Sequence, residues 1–292
     1  MRGEIMSGLV GSDDLCAHCK SVVPRHVRDC TVCGEAVGFP NVRAAKEAGE
    51  VAALGLRHEK AFVSARAASY ETELVEFGEE VSKSEAVIAR SMSVLDRLVN
   101  MESSLLSTYH QEVRSNGRVP QDNSWDKGRD AADSTINPNY YQNLHFAALS
   151  LNGRGVDHYG SCHITLVETA IANRASVFEE NPFIFSKKHS VVVGSQPPKG
   201  YRATWADRGK LAQAKLHHKL KKGMNPSEFV GILVDQGTGD GNEDFIEVHV
   251  YGALSGKSIG RVLALAPKGA ERHVWRSVRK KLVTAGLEVE EI

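Results

Sequence analysis

The chain has 292 residues, 41% of them hydrophobic and 25% charged, a balance that belongs to folded proteins and excludes a disordered chain. Its 36 Lys and Arg equal its 36 Asp and Glu, yet the charge is −1 over residues 1–40, −4 over 41–112 and +5 over 113–292. A basic excess of that size falls short of a dedicated polyanion binder and suits a pocket that holds a polyanionic ligand. No run of about 18 apolar residues occurs, and no basic stretch followed by an apolar one opens the chain, so neither membrane insertion nor secretion is expected and the cytoplasm is the expected compartment.

Residues 1–40 hold four of the five cysteines and no helical period long enough to bury a face. Cys16 and Cys19 form one Cys-x-x-Cys pair, Cys30 and Cys33 another, with ten residues between them. Each pair brings two thiolates to one side of a tight turn, and two such turns complete a tetrahedron around zinc. In a reducing compartment this pattern reads as a metal site more readily than as disulfides. A structural zinc ribbon over 1–40 is therefore expected, with Gly34 supplying positive φ after the last cysteine. Four cysteines leave no open coordination position, so no chemistry is expected at this ion. Lys20, Arg25, His26 and Arg28 permit phosphate contact, while Asp13, Asp14, Asp29 and Glu35 oppose it.

From 41 to 113 helix-forming residues dominate, and no proline occurs between Pro40 and Pro120. Tyr70, Leu74, Phe77, Val81, Ile88, Met92, Leu95, Val99 and Leu106 follow a mostly four-three spacing. That stripe predicts a coiled coil or folded-back hairpin over 41–113, with a stutter, and suggests a homodimer formed through it. Asn, Gly, Pro, Asp and Ser then accumulate, and 114–139 is expected to be a linker and the domain boundary.

The remainder, 140–292, reads as α+β and β-rich. Short β-prone runs at 144–151, 162–167, 174–178, 183–185 and 190–194 are broken by turn residues. A helix is expected over 204–222, strands at 244–251 and 259–265, and a basic helix over 272–285. Three segments carry more glycine and polar residues than a plain core needs: 149–156 with Tyr159 and Gly160, 174–181, and 243–252.

The strand with Phe245, Glu247 and His249, the Gly153-Arg154-Gly155 turn with Tyr159-Gly160, and the Arg174-x-Ser176 strand together resemble a divergent member of the ADP-ribosyltransferase-like superfamily, over roughly residues 140–267. The resemblance implies an NAD-dependent transferase with Glu247 as the catalytic carboxylate, Arg154 or His163 holding NAD with Arg174 beside them, and Ser176 organising the cleft. The chain departs from the family pattern in three ways: a short interval from His163 to Ser176, Arg-Ala-Ser in the middle motif, and Phe245 where many members have Glu or Gln. Such a domain behind a ribbon suits a toxin-like or antiphage-defence effector that modifies a protein or nucleic acid.

The chemistry can be stated from the residues themselves. Cleaving the nicotinamide–ribose bond leaves a cationic sugar, which a fixed carboxylate stabilises, and an Arg beside it binds pyrophosphate bidentately. Phe245, Glu247 and His249 share one strand face, and a solvated polar face explains that pattern equally. The alternative function is a non-enzymatic zinc-ribbon adaptor that binds nucleic acid or protein. A hydrolase using the scattered histidines ranks last, because no metal-binding set is fixed for it.

Overall fold

The computed structural model describes residues 15–100, 105–115, 124–238, 242–269 and 271–292. The chain enters through two matching cysteine knuckles, in which Lys20 N donates to Cys16 O at 2.9 Å and Gly34 N donates to Cys30 O at 2.8 Å. Both turns place the residue after the second cysteine in the left-handed region, Lys20 at φ 61° and Gly34 at φ 75°.

Pro40, whose fixed φ suits a first helical position, opens α1 (Pro40–Lys46), and α2 (Ala48–Ala67) and α3 (Glu71–Val81) follow. Next come β1 (Glu85–Arg90), α4 (Met92–Asn100), the short β2 (Leu105–Leu106), α5 (Tyr109–Arg114) and α6 (Ser124–Ile136). The middle of the chain holds β3 (Leu144–Ser150), β4 (Cys162–Leu166), α7 (Glu168–Ile171), β5 (Ala175–Phe178), α8 (Pro182–Lys188), β6 (Arg202–Thr204) and α9 (Arg208–Leu216). The last part holds α10 (Phe229–Leu233), β7 (Val234–Asp235), β8 (Asp244–Phe245), β9 (Glu247–Tyr251), β10 (Leu254–Ser255), β11 (Ile259–Ala264), α11 (Glu271–Thr284) and β12 (Glu288–Glu291).

Eight strands form one mixed sheet in the order β12-β11-β4-β1-β3-β9-β5-β6. Only the β11–β12 pair in it is parallel. One face is apolar: Ile88, Leu149, Ile164, Val177, Val248, Val250 and Val262 meet Leu74, Phe77, Leu95, Leu211, Phe229 and Trp275 from the helices. The opposite face carries Phe146, His163, Ser176, Phe178, Glu247 and His249, and α6 and α8 cover part of it through Ile136 and Phe185. Alternation along each strand separates the two sets.

Residues 41–113 do not form a continuous coiled coil, because β1 interrupts them at the centre of the sheet, paired antiparallel to both β3 and β4. Tyr70, Leu74, Phe77, Val81, Ile88, Met92, Leu95 and Leu106 are all buried inside this chain, so that stripe is not a surface for a second copy. Residues 114–139 contain α6, and they do not separate two bodies, since strands from before and after them build one sheet. Positions 183–185, expected in a strand, lie in α8, whose N-terminus Asn181 caps by accepting a 2.9 Å bond from Phe183 N. The expected strand at 190–194 is a turn opened by Ser190 at φ 52°. The strands expected near 144–151, 162–167, 174–178 and 259–265 and the helix near 272–285 are present, with no boundary moved by more than one residue. No described helix is long and apolar enough to cross a membrane.

Candidate functional site

The four ribbon sulfurs lie within 4.8 Å of one another, with Cys16–Cys33 at 3.7 Å and Cys19–Cys30 at 3.6 Å. An ion with metal–sulfur bonds of about 2.3 Å separates tetrahedral sulfurs by about 3.8 Å, so this set fits a metal ion such as zinc. Cys16 and Cys30 are buried and anchor a small cluster with Val23, so the ribbon's interior is mostly thiol. Arg43 fastens the ribbon to α1 by donating to Pro24 O at 2.9 Å and Arg25 O at 2.8 Å.

The second site lies on the polar face of the sheet, beneath α5 and α6. Glu247, 3% exposed, and His249, 2% exposed, are next-but-one neighbours on β9, with Glu247 Oε1 2.9 Å from His249 Nε2. Asn137 Nδ2 approaches His249 Nδ1 at 3.4 Å. An amide nitrogen only donates, so Nδ1 accepts and the ring proton sits on Nε2, aimed at Glu247. From α6, Asp133 accepts from Arg129 Nε at 3.3 Å and contacts His110 Nε2 at 2.8 Å. Arg129 lies over the rings of Tyr109 and Phe146, 4.2 and 5.1 Å from their centroids. Gly128 makes this placement possible, because a Cβ there would meet Phe183 of α8 at 2.3 Å.

Burial dominates the electrostatics. It holds the Glu247 carboxyl well above the usual carboxylate range; Asp133 reinforces this and Arg129 opposes it. His249 is pushed down to about 3 by burial and then by the Arg202 charge, so its ring is neutral. Burial works against the Arg129 charge, and Asp133 and Glu247 outweigh it. Tyr159 borders the same cluster. Its ring stands 6.2 Å from that of Phe245, burial raises its hydroxyl to about 12, and 38% of the residue remains exposed. The site thus combines a carboxyl with high proton affinity, a fixed guanidinium, a neutral imidazole and a phenol at its accessible edge.

The expected residues are spread along the sheet. Ser176 pairs with His249 in the β5–β9 ladder and shares the Glu247 face, but its Oγ accepts a 3.1 Å bond from Asn41. Arg174 donates to the carbonyls of Ala170, Tyr251 and Ala253, holding strand ends together. His163 lies on β4, three strands from β9. Its Nδ1 accepts from Gly155 N at 3.1 Å, its Nε2 lies 3.4 Å from Asp157, and burial pushes its pKa down to about 4. Arg154 pairs with Asp157 through Nε and Nη2. The space beside Gly153 is filled by Arg261. Glu247 and Ser176 are brought together, then, while Arg154, His163 and Arg174 make internal contacts elsewhere. Cys162 is a buried thiol beside Met92.

Arg129, Asp133, Asn137 and His110 were missed because their segments read as linker and coiled coil. The signal was there: positions 129, 133 and 137 recur every four residues, which puts them on one side of a helix. Compared with known proteins, the chain matches no family model and no curated protein, so the functional reading stands on the geometry of this site.

Proposed function

We propose that the protein is an NAD-dependent ADP-ribosyltransferase in which Glu247 is the carboxylate beside the reacting sugar, and that its cysteine cluster holds a structural zinc. The observation carrying the first part is the buried polar cluster of Glu247, His249 and Arg129, because strongly perturbed ionisable groups gathered in one site favour chemistry over plain packing.

In the reaction the C1′–N bond of NAD breaks and its electron pair leaves with the nicotinamide nitrogen. Nicotinamide departs neutral and the ribose becomes cationic. An acceptor nucleophile on a protein or nucleic acid then attacks C1′ and releases its proton. A carboxylate fixed at C1′ stabilises the cationic stage. Glu247 binds its proton tightly in the free site, and a cationic nicotinamide ring arriving beside it lowers that proton affinity. His249 donates to the carboxyl and holds it in place, while Arg129 offers a guanidinium to an anionic part of the substrate. The ribbon acts as a targeting arm, a role that suits a toxin-like or defence effector.

A second reading, a non-enzymatic ribbon adaptor, is favoured by the internal hydrogen bonds of Ser176, Arg174 and His163, which occupy groups that an NAD site would use. Incubation with adenine-labelled NAD and candidate acceptors separates the two. The transferase transfers label, and Glu247→Ala abolishes transfer while leaving the far-UV spectrum unchanged. Absence of both NAD binding and transfer, with salt-sensitive binding of nucleic acid, establishes the adaptor instead.

A further inference from the structure

The helix α11 carries five lysines and arginines against one carboxylate, Glu271. Its net charge of +4 is nearly the whole +5 of residues 113–292. An excess too small for a polyanion binder when spread over the domain is thus concentrated on 14 residues. Trp275, Val278 and Leu282 are buried against the core and fix the rotation of the helix. At 3.6 residues per turn, Arg272, Arg276, Arg279 and Lys280 then share one exposed flank. Lys281 falls on the other flank, 4.0 Å from Asp96 of α4.

Helix stability does not account for this row. The helix dipole favours cations in the last turn, which explains Lys281 and its neighbours, whereas Arg272 stands in the first turn and opposes the dipole. Arg272, Arg276 and Lys280 follow one another at intervals of four, so each cation repels the next. Among the described residues, none of Arg272, Arg276, Arg279 and Lys280 pairs with a carboxylate. Of the acids on the neighbouring β12, Glu291 is engaged by Trp275 Nε1 at 3.0 Å, and Glu288 and Glu290 alternate to the opposite face of the sheet. Four exposed cations therefore repel one another with no counter-charge supplied by the described fold.

We propose that this flank of α11 binds the phosphate backbone of duplex DNA without reading its sequence. From Arg272 to Lys280 the helix rises about 12 Å. Duplex DNA presents one negative charge about every 1.7 Å of its axis, so four cations find phosphates over that length. Trp275, the one Phe, Tyr or Trp on α11, is 2% exposed, so the flank offers no ring on which an unpaired base could stack, which favours a duplex over a single strand. Double-stranded RNA is gripped chiefly by contacts spread over two minor grooves, a longer footprint than one short row provides. A membrane surface is disfavoured because the apolar face of α11, which would have to enter the lipid, is buried in the core. α11 packs on the apolar face beside the edge strand β12, whereas Glu247 lies on the polar face of β9. The DNA surface is separate from the Glu247 site and does not depend on the transferase reading.

The test is fluorescence anisotropy of a short labelled DNA duplex of arbitrary sequence, titrated with the full-length protein from about 50 to about 200 mM salt. Saturable binding is expected, weakening about 100-fold over that range, with a slope of log affinity against log salt of about −3.6 for four phosphates. Arg276→Gln combined with Lys280→Gln is expected to reduce the size of the slope by about 2, while Arg276→Lys with Lys280→Arg keeps it. The melting temperature of the glutamine variant is expected to equal or exceed that of wild type, because repulsion is relieved; a fall would show that the fold itself needs the row and overturn the argument. Lys20→Gln and Arg28→Gln in the ribbon are expected to leave binding unchanged. Binding weakened by those two and not by the α11 substitutions overturns the proposal, as does the absence of salt-dependent binding. Duplex RNA, single-stranded DNA or phosphatidylserine vesicles bound more tightly than duplex DNA overturn the choice of partner. NAD plays no part in the titration, so its failure leaves the Glu247 reading untouched.

Discussion

Asn41 Nδ2 donates to Ser176 Oγ at 3.1 Å, across 135 positions of sequence, and it also reaches His249 O at 2.9 Å and Arg174 O at 3.0 Å. One amide on the first turn after the ribbon therefore ties α1 to β5 and β9, the strands that carry Ser176 and Glu247. Its Oδ1 is buried without a partner among the described atoms. Replacing Asn41 with Leu leaves buried acceptors without their donor, and a cost of about 1–3 kcal/mol is expected. Urea denaturation of Asn41→Leu against wild type measures it, and an unchanged midpoint would show that the anchor contributes nothing.

The stability of the four-cysteine segment is expected to depend on a bound metal ion. Because its interior is mostly thiol, it has little apolar burial to fall back on when the metal is removed. One metal ion per chain is expected by plasma emission analysis, and Cys30→Ser is expected to lose it. The eight-stranded sheet has its own apolar core, so chelation should remove ribbon signals while leaving the main unfolding transition in place.

Acid should destabilise the fold through buried imidazoles. Burial lowers His145 and His249 to about 3 and His163 to about 4, against about 6.5 in an unfolded chain. Their contribution is complete above the unfolded value. As pH falls below 6.5 the unfolded chain takes up protons that the folded one refuses, and stability drops until the folded values are passed. Glu247 runs the other way, since its raised pKa favours the folded state at low pH and that contribution fades as pH rises above the unfolded value. Between pH 4.5 and 6.5 the histidines prevail. Each contributes a slope of up to about 1.4 kcal/mol per pH unit, and His249→Gln is expected to reduce the slope by that amount. A slope unchanged by the substitution would contradict a neutral, buried His249.

Gly128 is the close-packing point between α6 and α8. A methyl group there would press into the Phe183 ring, and Gly128→Ala is expected to destabilise by about 1–3 kcal/mol as α6 shifts. Because Arg129 follows directly, the shift should also alter whatever ligand binding the Glu247 site supports. Stability and binding both equal to wild type would show that α6 is free to move without consequence.

The ribbon was legible because its signal is local: two knuckles of fixed spacing define four ligands and the positive φ at Gly34. Strands β3, β4, β5, β9 and β11 were legible from β-rich runs bounded by turn residues, whereas the edge strands β6 and β12 were not. Nor was β1. Its Glu85-Ala-Val-Ile-Ala-Arg90 sequence is as good a helix as a strand, and only burial on both faces between β3 and β4 decides the matter. Phe183 and Phe185 look like strand residues locally, but the Asn181 cap and Pro182 start a helix ahead of them. Glu247 was singled out by the resemblance alone, while strand alternation placed it on one face with His249 and fitted a solvated polar face equally well. Its neighbours Arg129 and Asp133 were hidden because α6 carries Gly128, Asp130 and Ser134, so its composition reads as loop, and His110 because its segment reads as coiled coil. The sheet brings these positions together over more than a hundred residues, and no local pattern reports that.

The most direct measurement of the central claim is nicotinamide released from NAD, quantified by chromatography, for wild type and for Glu247→Gln, which keeps the side chain's shape and hydrogen bonding to His249 while removing its capacity for negative charge. Release by the wild type with a loss of about 100-fold or more in the variant is the result expected for a carboxylate that stabilises the sugar cation. Equal release by the two folded proteins, or none by either across candidate acceptors, would contradict it.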